Sequence, residues 1–243
     1  MTSSIDYQTG IPSGFAKLNE MTAGWQPGDL VIVSGRNSVG KTAFAISMTL
    51  NMAKNYGCGV AFFSLEMSVQ MLVKRMITSD KGIVTSEIRN CIDEGYGWDA
   101  VGDDTVKLHH LPVFIDDTHG LLVFDFREKC KWLVRQYGIR IAIIDYLQLM
   151  NKIHAKGDDR KQELSNITLL LKYIAKELNI TVIALESLSR RYITDEDIAQ
   201  NADILITIHR PNLYEMFEDC KAPHYLTPPN SVLPKTATAY WVM

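Results

Sequence analysis

The sequence predicts a three-layer α/β fold built on a mostly parallel sheet. Three observations lead there: short apolar segments without polar alternation, intervening stretches with helical spacing, and a glycine-flanked polar loop joining one such segment to a helix. The first apolar segment, DLVIVSG at residues 29–35, is followed by the loop and then by Phe44, Ile46, Leu50 and Met52 in a helical stretch. GVAFFSLE at 59–66 reads as the next strand, and the apolar run that ends VFIDD with the Asp116–Asp117 pair as another. IAIIDYLQLM spans 141–150, and after Arg160 the residues Leu164, Ile167, Leu171, Ile174, Ala175 and Leu178 mark one face of a helix. ITVIALES at 180–187 and ADILITI at 202–208 complete the set. Near-continuous hydrophobicity of this kind suits strands covered on both faces, and alternation with helices implies right-handed crossovers. From Pro211 onward periodicity weakens and Pro223, Pro228, Pro229 and Pro234 accumulate, with TATAYWVM at 236–243 as a candidate last strand.

A chain of 243 residues with 47% hydrophobic and 22% charged residues suits one domain spanning 1–243, with 211–243 as a divergent C-terminal segment. The net charge of −3 argues against holding nucleic acid by bulk charge, so any such site must be local. Cys58, Cys91, Cys130 and Cys220 are scattered and form no C-x-x-C pair, which fits reduced, buried thiols in a cytoplasmic protein. The N-terminus has neither a basic segment nor an apolar run, and no stretch approaches the roughly 18 apolar residues of a membrane span, so no membrane partner is expected.

The loop GRNSVGKT satisfies G-x-x-x-x-G-K-[ST] in a strand–loop–helix context. Its backbone, from Gly35, Arg36, Asn37, Ser38, Val39 and Gly40 to Lys41, Thr42 and Ala43, is expected to surround phosphates at the positive end of the following helix. Lys41 would neutralise the outer phosphates of ATP, and the Thr42 hydroxyl would ligate Mg²⁺. A metal acid and a water-polarising base are also required. Asp145, closing IAIID, is the expected Mg²⁺-side carboxylate, and Glu66, closing AFFSLE, the expected base; for Glu66 alone, helix capping is an equally good reading. Asp116 and Asp117 read as turn and cap residues, with further carboxylates on the same edge as the alternative. His109 and His110 have no spaced partner and read as surface or packing residues.

Taken together, TGIPSGFAKLNEMTAGWQPGDLVIVSGRNSVGKTAFA, AFFSLEMS, IDDT, IAIIDYLQLM and RKQELSNITLLLKYIAKELNITVIALESLSR resemble the C-terminal, RecA-like P-loop NTPase domain of the DnaB replicative helicases. The resemblance implies a ring-forming homo-oligomer, hexameric in the family, that hydrolyses ATP while translocating on single-stranded DNA. It implies phosphate and metal contacts for Lys41 and Thr42, catalysis by Glu66 and a metal-side role for Asp145. It also implies that Arg190, closing LSR, approaches the nucleotide and that Arg210, in IHRPNLY, lies beside the pocket. Residues 1–9 correspond to the end of the family's interdomain linker, so the N-terminal domain that meets primase is not expected in this chain.

Three departures stand out. Ser187 takes the place of a family glutamine that senses the γ-phosphate, and Glu186 beside it adds a negative charge unless the strand pleat turns it away. Only RYITDEDIAQN, residues 191–201, stands where the family has a long DNA-holding loop; Asp195, Glu196 and Asp197 have the wrong sign for phosphates, and a solvated connection is expected. Residues 211–243 contain Lys221 and Lys235 but no arginine, so the family's neighbour-facing arginine finger has no counterpart. These departures leave open a truncated DnaB-like nucleotide-binding module that modulates a helicase ring without unwinding DNA itself. Other RecA-like ATPases, of the recombination or clock families, share the phosphate loop but fit SLEM and IIDYLQLM less well.

Overall fold

The computed structural model describes residues 10–81, 110–151, 160–188, 196–209 and 235–240. In chain order the elements are α1 (Ala16–Thr22), β1 (Leu30–Arg36), α2 (Lys41–Tyr56), β2 (Val60–Ser64), α3 (Val69–Lys81), β3 (Val113–Asp116), α4 (Val123–Tyr137), β4 (Ile141–Asp145), a 3₁₀ turn (Leu147–Leu149), α5 (Arg160–Leu178), β5 (Thr181–Leu188), α6 (Glu196–Asn201), β6 (Ile204–His209) and β7 (Lys235–Tyr240). The strands form one seven-stranded sheet in the order β3-β2-β4-β5-β1-β6-β7. Every neighbouring pair runs parallel.

Period-two alternation divides the apolar strand residues between two cores. Val31, Val33, Ile143, Ile183 and Leu185 pack with Phe44, Met48 and Leu72 of α2 and α3. Leu30, Ile32, Ile144, Val182 and Ala184 pack with Phe126 of α4 and Ile167, Leu171 and Ile174 of α5. Since successive residues of a strand face opposite sides, a segment buried on both faces must be apolar throughout, as β1, β4 and most of β5 are. The α5 face expected from spacing is the buried one, with Ile167, Leu171 and Ala175 fully enclosed.

Three boundaries differ from the sequence expectation. The segment 141–150 leaves the sheet after Asp145 and enters the 3₁₀ turn, because Leu147 and Met150 both bury fully while Leu149 stays exposed. β2 ends at Ser64 rather than at Glu66, where the Ser64 hydroxyl donates to the Met67 carbonyl at 2.7 Å and turns the chain. The connection at 191–201 is not solvated throughout: its second half is α6, with Ile198 buried and Asn201 donating to the Ser165 carbonyl (3.2 Å) and the Thr168 hydroxyl (3.0 Å) of α5. The first half, including Asp195, lies outside the described residues, as do Cys91, His109 and Cys220. Cys58 and Cys130 are buried free thiols, and His110 is exposed. The expected last strand is present as β7, paired with β6 from Ile204↔Lys235 to His209↔Tyr240.

Away from the loop end, Lys172 fastens the bottom of β1. Its ammonium donates to the Gly28 carbonyl at 2.7 Å and pairs with Asp203, whose carboxylate accepts the Leu30 N–H at 2.7 Å. The start of the strand that leads into the glycine loop is thereby held at one end of the sheet. No helix among the described residues is long and apolar enough to cross a membrane.

Candidate active site

Gly35 ends the buried part of β1 because nothing larger fits: a Cβ there would lie 2.9 Å from both the Ile208 carbonyl and Val39 Cγ1. Gly40 is required for another reason. Its φ of +106° is a conformation that L side chains rarely adopt, although a Cβ would meet no atom within 4 Å. Between them Arg36 is half-buried, Asn37 and Ser38 are exposed, and Val39 is buried. Gly40 is the N-cap of α2 and provides no side-chain cap, so the first-turn N–H groups of a 16-residue helix, starting at Lys41, Thr42 and the exposed Ala43, open toward the loop. That end of the helix attracts anions.

Lys41 and Thr42 are both buried. The Lys41 ammonium donates to the Gly35 carbonyl at 2.7 Å and the Arg36 carbonyl at 2.8 Å, and lies 5.3 Å from the Tyr146 ring centroid. Burial lowers its pKa from 10.5 to about 8, against the pull of Asp145, Glu66 and Glu186. Asp145 is fully buried at the tip of β4, and neither carboxylate oxygen has a hydrogen-bond partner. Burial raises its pKa from 3.8 to about 6; the Thr42 hydroxyl, outside hydrogen-bonding geometry but close, draws it down, Glu66 pushes it up, and Lys41 and Arg75 oppose that.

Register brings these residues together. Ser64 of β2 pairs with Asp145 of β4, and the Leu65 N–H donates to the Asp145 carbonyl at 2.8 Å, which extends the ladder one residue beyond β2. Tyr146 therefore follows opposite Leu65, and Glu66 comes one residue beyond that point, exposed at the loop end of the sheet. On the other flank Gly35 pairs with Ser187 of β5. The Ser187 hydroxyl donates to Asn37 Oδ1. The Gln148 side chain brackets Ser187, accepting from its N–H at 3.1 Å and donating to its carbonyl at 3.2 Å.

Glu186 is buried and pairs in register with Ser34 of β1. Both follow the even-numbered residues that face α4 and α5, so the pleat sets Glu186 on the face opposite Gly35 and Ser187. The Ser34 hydroxyl in turn lies 3.2 Å from that of Thr207 on β6. Asp116 and Asp117 have structural partners: Asp116 pairs with Lys129 and accepts the Thr118 N–H at 3.0 Å, and Asp117 accepts the Val69 N–H at 2.9 Å at the start of α3.

Two site residues escaped the sequence reading, Tyr146 and Gln148. Their only sequence signal is proximity to Asp145, since both contacts depend on which strand lies beside β4. Arg190 and Arg210, expected near the nucleotide, lie outside the described residues.

Among the described residues no group of three or more His, Cys, Asp or Glu side chains could hold a metal ion by itself. A divalent ion would need phosphate oxygens in addition to Thr42 and Asp145. The donors present suit Mg²⁺, an oxygen-loving ion usually held through one or two carboxylates plus substrate phosphates. The unpartnered, buried carboxylate of Asp145 beside a buried hydroxyl is the observation that fits it.

A parallel sheet with the glycine loop between β1 and α2 defines a RecA-like nucleotide-binding P-loop domain. Known proteins narrow the class. A family model described as the DnaB-like helicase C terminal domain matches residues 10–227. The chain belongs to that family. It is 40% identical over 224 residues to the replicative DNA helicase DnaC of Bacillus subtilis, covering 85% of this chain and 48% of that protein. It is 39% identical over 219 residues to the replicative DNA helicase DnaB of Geobacillus stearothermophilus, with the same coverages, 85% and 48%. Among solved structures, the ATPase domain of G40P superposes with a TM-score of 0.79 at 31% identity, covering 90% of this chain and 82% of that one. A DnaB-like replicative helicase, solved with a view to its interactions with primase, gives 0.77 at 31% identity, covering 88% and 54%. The chain spans about half the length of the curated relatives it matches. Their character favours a replicative helicase ATPase domain over a degenerate module.

Proposed function

We propose that this chain binds ATP with Mg²⁺ on the loop from Gly35 to Ala43 and hydrolyses it, as the motor domain of a replicative DNA helicase. The observation behind this reading is the charge pattern at the loop. A buried lysine turned back onto the Gly35 and Arg36 carbonyls and a buried, unpartnered carboxylate both cost free energy in the site. A polyanion bound with a divalent cation relieves both.

In this reading Lys41 exchanges the Gly35 and Arg36 carbonyls for outer phosphate oxygens, regaining a full-strength charge partner. The backbone of Arg36, Asn37, Ser38, Val39 and Gly40 wraps the phosphates, and the N-terminus of α2 adds its positive end. Thr42 and Asp145 hold the metal side. Bound Mg²⁺ would supply neutralisation of phosphate charge as the anhydride breaks. Glu66, exposed beside Tyr146, orients and polarises the attacking water.

Translocation on single-stranded DNA and assembly into a ring of like subunits belong to the same reading. They are supported by the relatives, which are named replicative DNA helicases and of which this chain covers 48%. A cytoplasmic setting goes with it, in keeping with the free thiols of Cys58 and Cys130.

Two substitutions test the site. Lys41→Ala is expected to abolish binding of a fluorescent ATP analogue. Glu66→Gln is expected to leave that binding intact while phosphate release falls by about 10²–10⁴-fold, the usual worth of a positioned base. Equal loss of binding in both variants would show that Glu66 has been given the wrong role.

A further inference from the structure

We infer that Asn37 is the loop side chain that contacts the terminal phosphate of ATP, and that Ser187 of β5 is the positioning residue that turns the Asn37 amide nitrogen toward it. Both roles rest on the loop being an ATP site, as proposed above.

The ends of three strands build the contact. β4 and β5 pair from Ile141↔Thr181 to Ile144↔Ala184, so β5 runs on past its neighbour and Ser187 lies beyond the last pair. The Gln148 side chain stands in for the missing strand, accepting the Ser187 N–H at 3.1 Å and donating to its carbonyl at 3.2 Å. On the other flank Ser187 is in register with Gly35, where the phosphate loop leaves the sheet. With its main chain held in this way, the half-buried Ser187 directs its hydroxyl to Asn37 Oδ1. Asn37 itself is exposed, and the left-handed backbone of Ser38, at φ +63°, turns the chain immediately after it.

Hydrogen-bond polarity gives the pair its use. The oxygen of a carboxamide only accepts and the nitrogen only donates. The two orientations of the Asn37 amide have almost the same shape, but only the one that presents N–H groups attracts a phosphate. A serine proton given to Oδ1 selects that orientation, because the oxygen is then held on the β5 side. The lysine indicates which phosphate is met. In loops of this pattern backbone N–H groups cradle the inner phosphates and the lysine reaches the outer ones. The Lys41 ammonium rests on the Gly35 and Arg36 carbonyls at 2.7 and 2.8 Å, at the strand end of the loop. Asn37 is the next residue after those two, so its amide serves the outermost phosphate, and a short side chain at position 187 suffices because it acts through Asn37.

The test is competition of ADP, and of a non-hydrolysable ATP analogue, against fluorescent ADP in Mg²⁺ on the whole chain. The quantity read is the ratio of analogue affinity to ADP affinity. Asn37→Ala is expected to lower that ratio about tenfold, the lower end for a hydrogen bond to a charged group. Asn37→Asp, which still accepts from Ser187 but sets a carboxylate beside the phosphate, should lower it further. Ser187→Ala should lower it about twofold to fivefold, by the fraction of time the amide is turned the wrong way, and Ser187→Thr, which keeps the hydroxyl, should restore it. Adding Ser187→Ala to Asn37→Ala should lower the ratio no more. An Asn37→Ala chain with the wild-type ratio overturns the Asn37 contact, and so does equal loss for both nucleotides, which marks a merely structural loop residue. A Ser187→Ala effect that is absent, or that persists in the Asn37→Ala background, overturns the role of Ser187. A wild type that binds neither nucleotide overturns the ATP reading of the loop itself.

Discussion

Replacing Asp145 by Asn should stabilise the nucleotide-free protein while damaging its function. Burial raises this carboxyl from 3.8 to about 6, and its oxygens have no hydrogen-bond partner. Two pKa units at about 1.4 kcal/mol each set a ceiling of about 3 kcal/mol on the cost of keeping the group ionised at neutral pH. The variant also deprives Lys41 of a charge partner and buries an amide, so about 1–3 kcal/mol is the expected gain. At this chain length that is about 2–12 °C in Tm.

The pH dependence has a definite sign. The folded pKa lies above the unfolded one, so between about pH 4 and pH 6 the folded chain holds more proton than the unfolded chain. Stability contributed by the protonated form is therefore lost as pH rises through that window. Asp145→Asn has no such titration, so its advantage over wild type is largest near pH 7.5 and shrinks toward pH 4. Calorimetry or dye-based melting in EDTA without nucleotide reads this directly. Adding Mg²⁺ and a non-hydrolysable ATP analogue should raise wild-type Tm more than that of the variant. A variant that melts at or below wild type at pH 7.5 in EDTA would refute the view of Asp145 as a carboxylate kept for a metal at the expense of the fold.

Two other outcomes follow from the same structure. Gly40→Ala meets no atom within 4 Å, so its cost is the backbone conformation at φ +106°, about 1–3 kcal/mol; fluorescent nucleotide affinity is expected to fall at least fivefold in a protein that still folds, and unchanged affinity would show that the loop can adopt another conformation. With net charge −3, binding to a single-stranded oligonucleotide must come from a local grip on phosphates. In the presence of ATP the logarithm of affinity should fall with that of salt concentration at a slope of about −0.7 for each phosphate held, and absence of binding even at low salt would remove DNA translocation from the proposed function of this chain.

The parts of the fold that depend on local pattern could be read from the sequence. β1, β2, β4 and β5 are apolar because both their faces are covered, β6 buries every second residue, and the buried stripe of α5 follows helical spacing. Asp116 as a turn residue could be read for the same reason, since it accepts the Thr118 N–H two residues on, whereas Asp117 caps α3 across 48 residues. What stayed hidden depends on partners distant in sequence. Tyr146 meets Thr42 across 104 residues, and Gln148 meets Ser187 across 39. The run 141–150 is apolar to its end, and only the burial of Leu147 and Met150 distinguishes a 3₁₀ turn there from more strand. α6 was hidden by its acids, whose charge suggested a solvated connection, whereas Ile198 and Asn201 dock it on α5.

The tip of β5 separates the two sides of the sheet in a way that bears on how a loop movement would spread. On the α2 face, Ser187 reaches Asn37 of the phosphate loop and is bracketed by Gln148 from the end of β4. On the opposite face Glu186 lies beside Ser34, which contacts Thr207 of β6. Consecutive residues of one strand therefore connect to the nucleotide loop on one side and to a buried polar row on the other. A buried carboxylate in such a row tolerates little displacement, because its solvation depends on neighbours at fixed distance. Ser187 ties Asn37 of the phosphate loop to β5, next in the chain to the buried Glu186, without a long side chain at position 187. The short serine thus does not by itself disconnect the loop from β5; it makes the connection through Asn37.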